Sequence, residues 1–377
     1  MTVSQLTDLT DAERCPRLVV KVGSSLLVGS DGAARRGWLA TLVEEIVAAR
    51  KRGQQVIVVS SGSIALGAAR LGLEKGGRGS LADAQAAAAV GQIALAQLWS
   101  ELLGAHGIAA AQLLLTLEDL EDRRRYLNAA ATLGRLLKRG AVPVVNENDS
   151  VATAEIRFGD NDRLAARVAL AARAGGVLLL SDVDGLYDRN PAESGAQLLP
   201  QLRGVTDEVY AMADGRSASG MGSGGMTSKL QAAEIAGRAG IALAIVNGTH
   251  DAPIARAMDG GRGTLFLPLR KDAARKAWLG GRMRMKGALV VDDGCARALG
   301  KGGSLLATGI ARVEGTFQRG DPLEVRGSDG KAIARGLAEY SSEECERLKG
   351  RRSDEHQAIL GYAPRSAVIH RDQLVLL

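Results

Sequence analysis

Four glycines fall within six positions, at Gly220, Gly222, Gly224 and Gly225, and Met226-Thr-Ser-Lys229 follows at once. Glycines let a backbone turn sharply and approach a ligand closely. The run from Lys229, Leu-Gln-Ala-Ala-Glu-Ile-Ala, reads as a helix, and a helix N-terminus offers unpaired N–H groups and the positive end of a dipole. With a lysine at that point, the stretch suits a polyphosphate. Its Gly-x-Gly-x-x-Gly spacing lacks the preceding strand of a dinucleotide fingerprint, and Lys229 does not directly follow a glycine as it would in a Walker loop. Taken alone, the stretch also reads as a flexible surface loop.

Three further groups bear on the same chemistry. Lys21-Val-Gly-Ser-Ser25 places a lysine at the end of an apolar run. Burying it unpaired is expensive, so it either reaches a phosphate beside the glycine turn or points to water from an edge strand. Asn146-Glu-Asn-Asp149 and Gly159-Asp-Asn-Asp162 are polar clusters within 17 residues of each other. Asp and Asn favour turns and helix caps, but two such clusters exceed what capping requires. Their carboxylates and amides could bind an ammonium group and orient lysines.

The elements that must position these groups are short apolar runs ending in glycine or small polar residues. They lie at 18–22, 56–59, 142–145, 177–180 and 241–246, each apolar throughout apart from Lys21, as strands covered on both faces are. Helical patterns at about 36–52, 83–104, 121–139, 161–174 and 227–239 separate them. This alternation predicts an α/β domain with a mostly parallel sheet, in which ligands bind at the carboxyl ends of the strands. The alanines at 84–89 read as a tightly packed helix face. After about residue 283 the texture changes to short β-like runs between glycine turns, at 288–291, 304–306, 310–313, 322–325, 332–336 and 367–369, which predicts a smaller β-rich module.

Composition limits the partners. The 377 residues suggest two domains, and aromatics at 3% leave Ala, Val, Leu and Ile to build the cores. Cys15, Cys295 and Cys345 lie far apart with no metal-ligand spacing, as expected for a reducing cytoplasm. No apolar run is expected to reach membrane-spanning length, and no signal pattern opens the chain. The net charge of +6 sits wholly in 270–286, because residues 1–269 carry 28 basic and 28 acidic side chains and residues 287–377 carry 13 of each. Seven basic residues in one segment read as a solvated connector; a nucleic-acid footprint would spread over a folded face.

Five motifs occur in order along residues 17–270: Lys21-Val-Gly-Ser-Ser, Ser60-Ser-Gly-Ser-Ile-Ala, Val145-Asn-Glu-Asn-Asp-Ser-Val-Ala-Thr, Phe158-Gly-Asp-Asn-Asp and Gly222-Ser-Gly-Gly-Met-Thr-Ser-Lys. Together they resemble the glutamate 5-kinases of the amino-acid kinase family, and the segment from about 283 resembles the PUA domain that many bacterial members carry. The resemblance implies an N-terminal tail (1–16), a catalytic domain with the amino-acid kinase fold (17–270), a basic linker (271–282) and a PUA-like domain (283–377). It implies phosphorylation of the side-chain carboxylate of L-glutamate by ATP with Mg²⁺, the first step of proline synthesis. Residue by residue, Lys21 and Lys229 would contact the ATP phosphates and Asp162 would organise the two lysines. Ser181, Asp182 and the loop Ser223, Gly224, Gly225, Met226, Thr227, Ser228 and Lys229 would meet the nucleotide. Ser61, Asp149 and Asn161 would hold glutamate; no metal ligand is assigned. Ser24 and Ser181 stand where threonine is common, and both keep a hydroxyl.

The family also implies feedback by proline through the segment around 116–125, a homo-oligomer, and glutamyl phosphate reductase as the downstream enzyme. A carboxylate nucleophile is ionised at pH 7 and needs no general base, and none of His106, His250, His356 and His370 sits in a motif. A hydroxyl kinase would want an aspartate base, a role open to Asp149. The same ATP site could serve N-acetylglutamate, aspartate or carbamate, although the paired Asn/Asp clusters and the β-rich module argue against this. PUA modules elsewhere bind RNA, but residues 287–377 are charge-neutral with only Phe317, Tyr340 and Tyr362 as aromatics, a thin stacking surface.

Overall fold

The computed structural model describes residues 3–151, 160–213, 225–268, 285–362 and 367–377. The chain divides into two compact units, Met1–Lys271 and Asp272–Leu377. The charged segment 270–286 lies almost entirely outside the described residues, as do Phe158, Gly159, Gly220, Gly222, Ser223 and Gly224.

The first unit is built on eight strands: β1 (Arg17–Val22), β2 (Gln55–Ser60), β3 (Ala110–Leu115), β4 (Val142–Glu147), β5 (Gly176–Ser181), β6 (Gln201–Arg203), β7 (Ala242–Asn247) and β8 (Thr264–Leu267). Their order across the sheet is β3-β4-β2-β1-β5-β7-β8-β6. Every neighbouring pair is parallel except β7 with β8. Side chains alternate between the faces of a strand, and here both faces are apolar. Val20, Val56, Val58, Leu178 and Leu180 enter one core layer, whereas Val19, Ile57, Val59, Val177 and Leu179 enter the other. After the short helix α1 (Ser24–Leu27), helices α2 (Arg36–Lys51) and α4 (Leu81–Gly104) cover the first face; α6 (Arg123–Lys138), α7 (Asp160–Ala172) and α9 (Met226–Arg238), with the short helices α5 (Leu117–Glu121) and α8 (Asp207–Ala213), cover the second.

Three features differ from the sequence reading. The stretch expected as a tail is packed: Leu9 and Cys15 are fully buried, and the Gln54 amide donates to both their carbonyls at 2.7 Å. Helix α4 is, by length and hydropathy alone, long and apolar enough to cross a membrane, contrary to the expectation. In the fold its Leu95, Leu98, Trp99 and Leu103 join the core. Finally, a helix α3 (Ser63–Leu71) follows β2 directly.

Helix α3 packs on α4 at very close range. A Cβ at Gly67 would run into the Ala87 carbonyl, and one at Gly91 into the Ser63 carbonyl. Ala84, Ala87 and Ala88 form the buried face opposite, so the alanine run does serve as a packing surface. Gly62, the cap of α3, has φ +112°, and a Cβ there would press on Leu27 at 3.0 Å. Glycine alone adopts this conformation without strain. These contacts matter because α3 and α4 each carry a polar residue into the site.

The second unit has a five-stranded sheet of its own: β9 (Gly287–Val291), β10 (Ile310–Gly315), β11 (Pro322–Arg326), β12 (Ala332–Leu337) and β13 (Leu374–Leu376). The order is β10-β9-β11-β12-β13, antiparallel except for β9 with β11. The runs expected as strands at 304–306 and 367–369 meet only as the single bridge Leu305↔Ile369. Helices at Asp293–Gly300 and Ser342–Leu348, not foreseen, help close a separate core around Phe317 and Tyr340.

Candidate active site

Strand β1 lies inside the sheet, between β2 and β5. The chain passes to β2 on one side and to β5 on the other, a switch point that opens a crevice at the carboxyl ends of the strands. Lys21, next to last in β1, shares the face of Val19, toward α7 and α9. It is 8% exposed, so the edge-strand alternative does not apply.

The partner of Lys21 comes from the first turn of α7. Asp162 is fully buried; its Oδ1 lies 2.6 Å from Lys21 Nζ and its Oδ2 lies 3.7 Å from Lys229 Nζ. Lys229 sits in the first turn of α9, whose cap is Gly225. The Ser228 hydroxyl also donates to Asp162 Oδ2, at 3.4 Å. Burial pushes the Asp162 carboxyl up, but the two ammonium groups and the hydrogen bonds from Lys21 and Ser228 outweigh it, leaving the pKa below its ordinary 3.8. Burial pulls Lys229 below 10.5 and the charge of Lys21 adds to this, against opposition from Asp162 and Asp182. One carboxylate thus holds two buried cations facing the crevice. At the tip of β5, on the other side of β1 from β2, the Ser181 hydroxyl donates to Asp182 at 3.2 Å.

A second polar group lies at the tips of β2 and β4. Asn146, 1% exposed, donates from Nδ2 to Gln92 Oε1 at 2.8 Å and to Ser63 Oγ at 3.2 Å. Its Oδ1 accepts from Asn161 Nδ2 at 3.3 Å. Ser63 in turn donates to Asp149 Oδ2 at 3.5 Å. The chain of contacts therefore joins Asp149 and Asn161, two of the three residues expected at the substrate. Asn161 Oδ1 is buried without a hydrogen-bond partner among the described residues, which leaves an acceptor for a ligand. Ser61 is half-buried at the tip of β2, its N–H donating to the Val22 carbonyl at 3.0 Å. A groove of about 350 Å³ adjoins Asp149, with Ser63, Gln92 and Glu147 among its polar lining and Ile93 and Leu114 among its apolar lining.

Sequence reasoning passed over Ser63, Gln92 and Asn146 as individual site residues. Asn146 and Ser63 lie inside the conspicuous motifs, but nothing in the sequence sets them apart from their polar neighbours. Gln92 carries only a weak signal, one amide in an apolar helix. The segment 116–125 is ordered by capping: Thr116 and Asp119 exchange hydrogen bonds at the start of a short helix, Leu117–Glu121, and Arg125 pairs with Asp119 at 3.0 Å.

A profile of the amino acid kinase family matches residues 16–247. The chain belongs to the amino acid kinase family. A PUA-domain profile matches residues 287–360, within the second unit. Among curated relatives, the glutamate 5-kinase of Novosphingobium aromaticivorans is 69% identical over 100% of both chains. That of Sphingopyxis alaskensis is 59% identical over 96% of this chain and 98% of its own, and that of Zymomonas mobilis 54% identical over 97% and 92%. This amino acid kinase family member is therefore a kinase, with the mostly parallel α/β architecture and the second β-rich unit that its sequence implies.

Proposed function

We propose that the first unit transfers the γ-phosphoryl group of ATP to the side-chain carboxylate of L-glutamate, giving L-glutamyl 5-phosphate and ADP at the entry to proline synthesis. The observation that carries this reading is the carboxylate of Asp162 held between Lys21 and Lys229, beside the Asp149–Ser63–Asn146–Asn161 network. The glutamate carboxylate is ionised at neutral pH, so its oxygen attacks the γ-phosphorus with no proton to remove, and the bond to the β-phosphate oxygen breaks. The barrier is the approach of an anion to a polyanion. Positioning and fixed positive charge lower it.

In this scheme Lys21 and Lys229 neutralise charge on the transferred phosphoryl, and Asp162 keeps the ammonium groups aimed without letting either fold onto the other. The first turn of α9, Met226 to Lys229, faces the phosphates with N–H groups, and Ser181 and Asp182 border the nucleotide. Asp149 and the free acceptor of Asn161 take the substrate ammonium, with Ser61 beside them. Among the described residues no group of three His, Cys, Asp or Glu could hold a metal. Mg²⁺ bound with the nucleotide would supply further positive charge to the phosphates.

Proline feedback through the capped segment 116–125, assembly into a homo-oligomer, a cytoplasmic location and hand-over to glutamyl phosphate reductase belong to the same proposal, on the strength of the family. The deciding experiment traps the acyl phosphate with hydroxylamine, with and without proline. ATP-dependent hydroxamate from glutamate, but not from N-acetylglutamate or aspartate, is the expected result. No hydroxamate from glutamate would sink the reading.

A further inference from the structure

One polar strand tip has no part in the scheme above. Strand β7 is apolar from Ala242 to Val246 and ends in Asn247. In register, Lys21 of β1 stands beside Leu179 of β5, and Leu179 beside Ile245 of β7; one step nearer the crevice, Ser181 stands beside Asn247. Leu243 and Ile245 enter the same core layer as Val19, Val177 and Leu179. Alternate residues share a face, so Ser181 and Asn247 belong to the side of the sheet that carries Lys21, Asp162 and Lys229. Two residues along a strand span roughly 7 Å. This polar row therefore lies just beyond the lysine, at the carboxyl ends where ligands bind in such sheets.

Asn247 is fixed in place and holds another group in turn. Its Oδ1 accepts from the Thr249 N–H at 2.9 Å and from the Thr249 hydroxyl at 2.6 Å. Its Nδ2 donates to Asp184 Oδ1 at 2.8 Å. The other oxygen of Asp184 accepts from the Tyr187 hydroxyl at 3.3 Å and lies 3.4 Å from the Arg262 guanidinium. The backbone adds two ties. The Gly248 N–H donates to the Ser181 carbonyl at 2.7 Å, and the Leu186 N–H donates to Thr264 Oγ1 at 2.8 Å. The turn from Ser181 to Tyr187 is thus pinned to the tip of β7 and the start of β8, and Asp182 lies between the ties.

We propose that Asn247 is a positioning residue for the nucleotide: by gripping Asp184 it holds the turn that presents Ser181 and Asp182 to ATP. The inference rests on the assignment of the β5 tip to the nucleotide. A loose carboxylate at 184 would repel a polyanion, whereas the donors on its two oxygens commit its charge to the protein. A turn ordered before the ligand arrives also lowers the cost of binding.

The test is calorimetric binding of ADP with Mg²⁺ to the full chain, with hydroxamate kinetics beside it. Asn247→Asp keeps the shape and the acceptor for Thr249, but sets carboxylate against carboxylate at Asp184. Its Kd for ADP and its KM for ATP should rise roughly 10-fold or more, the scale of one hydrogen bond to a charged group, while the KM for glutamate stays within about twofold. Combining Asn247→Asp with Asp184→Asn reverses donor and acceptor, and should return the Kd to within about threefold of the parent, a coupling that reads the pair itself. An unchanged ADP affinity in Asn247→Asp would overturn the proposal. So would a double variant that melts normally without rescue, or a KM rise shared equally by ATP and glutamate, since either marks a structural role. Should Asn247→Asp not fold, Asn247→Ala, which adds no charge, decides by the same ADP measurement. A parent chain that binds ADP yet forms no hydroxamate from glutamate would instead overturn the function, and the binding data would still judge Asn247.

Discussion

The two lysines around Asp162 set the expectations at the scale of single residues. Replacing Lys229 with Met removes one positive charge from the phosphoryl while keeping the length and the apolar stem. Turnover should fall by at least ~10², the scale for losing one transition-state contact, and turnover within a few-fold of the parent would refute its role. The pKa directions give a pH test. Asp162 is depressed in the folded chain, so its contribution to stability is complete above 3.8 and is lost as pH falls through the lower folded value. Lys229 is also depressed, so stability rises with pH between its folded value and 10.5, while activity, which needs the ammonium, falls over the same window. A kcat/KM profile reports the free enzyme, and its alkaline limb should begin below 10.5. A limb that begins only at 10.5 would show that burial does not govern this lysine. Lys21, Asp162 and Lys229 were legible as candidates because a lysine in an apolar run and an Asn/Asp cluster beyond capping needs are chemically conspicuous. Ser63 and Gln92 were not, since serine and glutamine are ordinary in any helix and their meaning arises only when α3 and α4 bring them to Asn146.

At the scale of elements, the α3–α4 contact is the part of the scaffold on which the substrate side depends. Gly91 has no room for a Cβ against the Ser63 carbonyl. Gly91→Ala must therefore push α3 away and carry Ser63 away from Asn146 and Asp149. Overpacking of this kind costs about 1–3 kcal/mol, which denaturant unfolding would register as a lower midpoint at unchanged slope. The KM for glutamate should rise more than the KM for ATP, since the lysines stand on β1 and α9. Equal effects on both substrates would mean that α3 does not define the glutamate side. The sequence exposed β1, β2, β4, β5 and β7 readily, because strands buried on both faces are apolar at every position. Strand β3 was missed: it lies at the sheet edge, and its pattern Ala-Ala-Gln-Leu-Leu-Leu, half exposed, announces no period. Helix α3 was missed because its start, Ser60-Ser-Gly-Ser, reads as a strand tip and its glycine lowers any helical signal.

At the scale of the whole molecule, the change of texture near residue 283 announced two units, and each has its own sheet and core. Among its described residues, the second unit turns few aromatic faces outward. Phe317 and Tyr340 are spent in its core, each 1% exposed, and among its described residues Tyr362 alone of the aromatics is exposed, donating to Glu344. Several of its arginines are matched by acids, Arg326 with Glu314 and Glu324 and Arg319 with Glu339. The residues assigned to chemistry, from Lys21 to Lys229, all belong to the first unit, and so do the glycines that seat α3. A chain ending at residue 270 keeps both core layers of the eight-stranded sheet, including β8, its last strand. It should fold cooperatively and form hydroxamate from glutamate with a kcat within a few-fold of the full chain. Calorimetry should lose the transition of the second unit and retain that of the first. A truncated chain that melts normally yet turns over at least ~10²-fold more slowly would show that residues beyond 270 complete the site, and the assignment of catalysis to the first unit alone would have to be withdrawn.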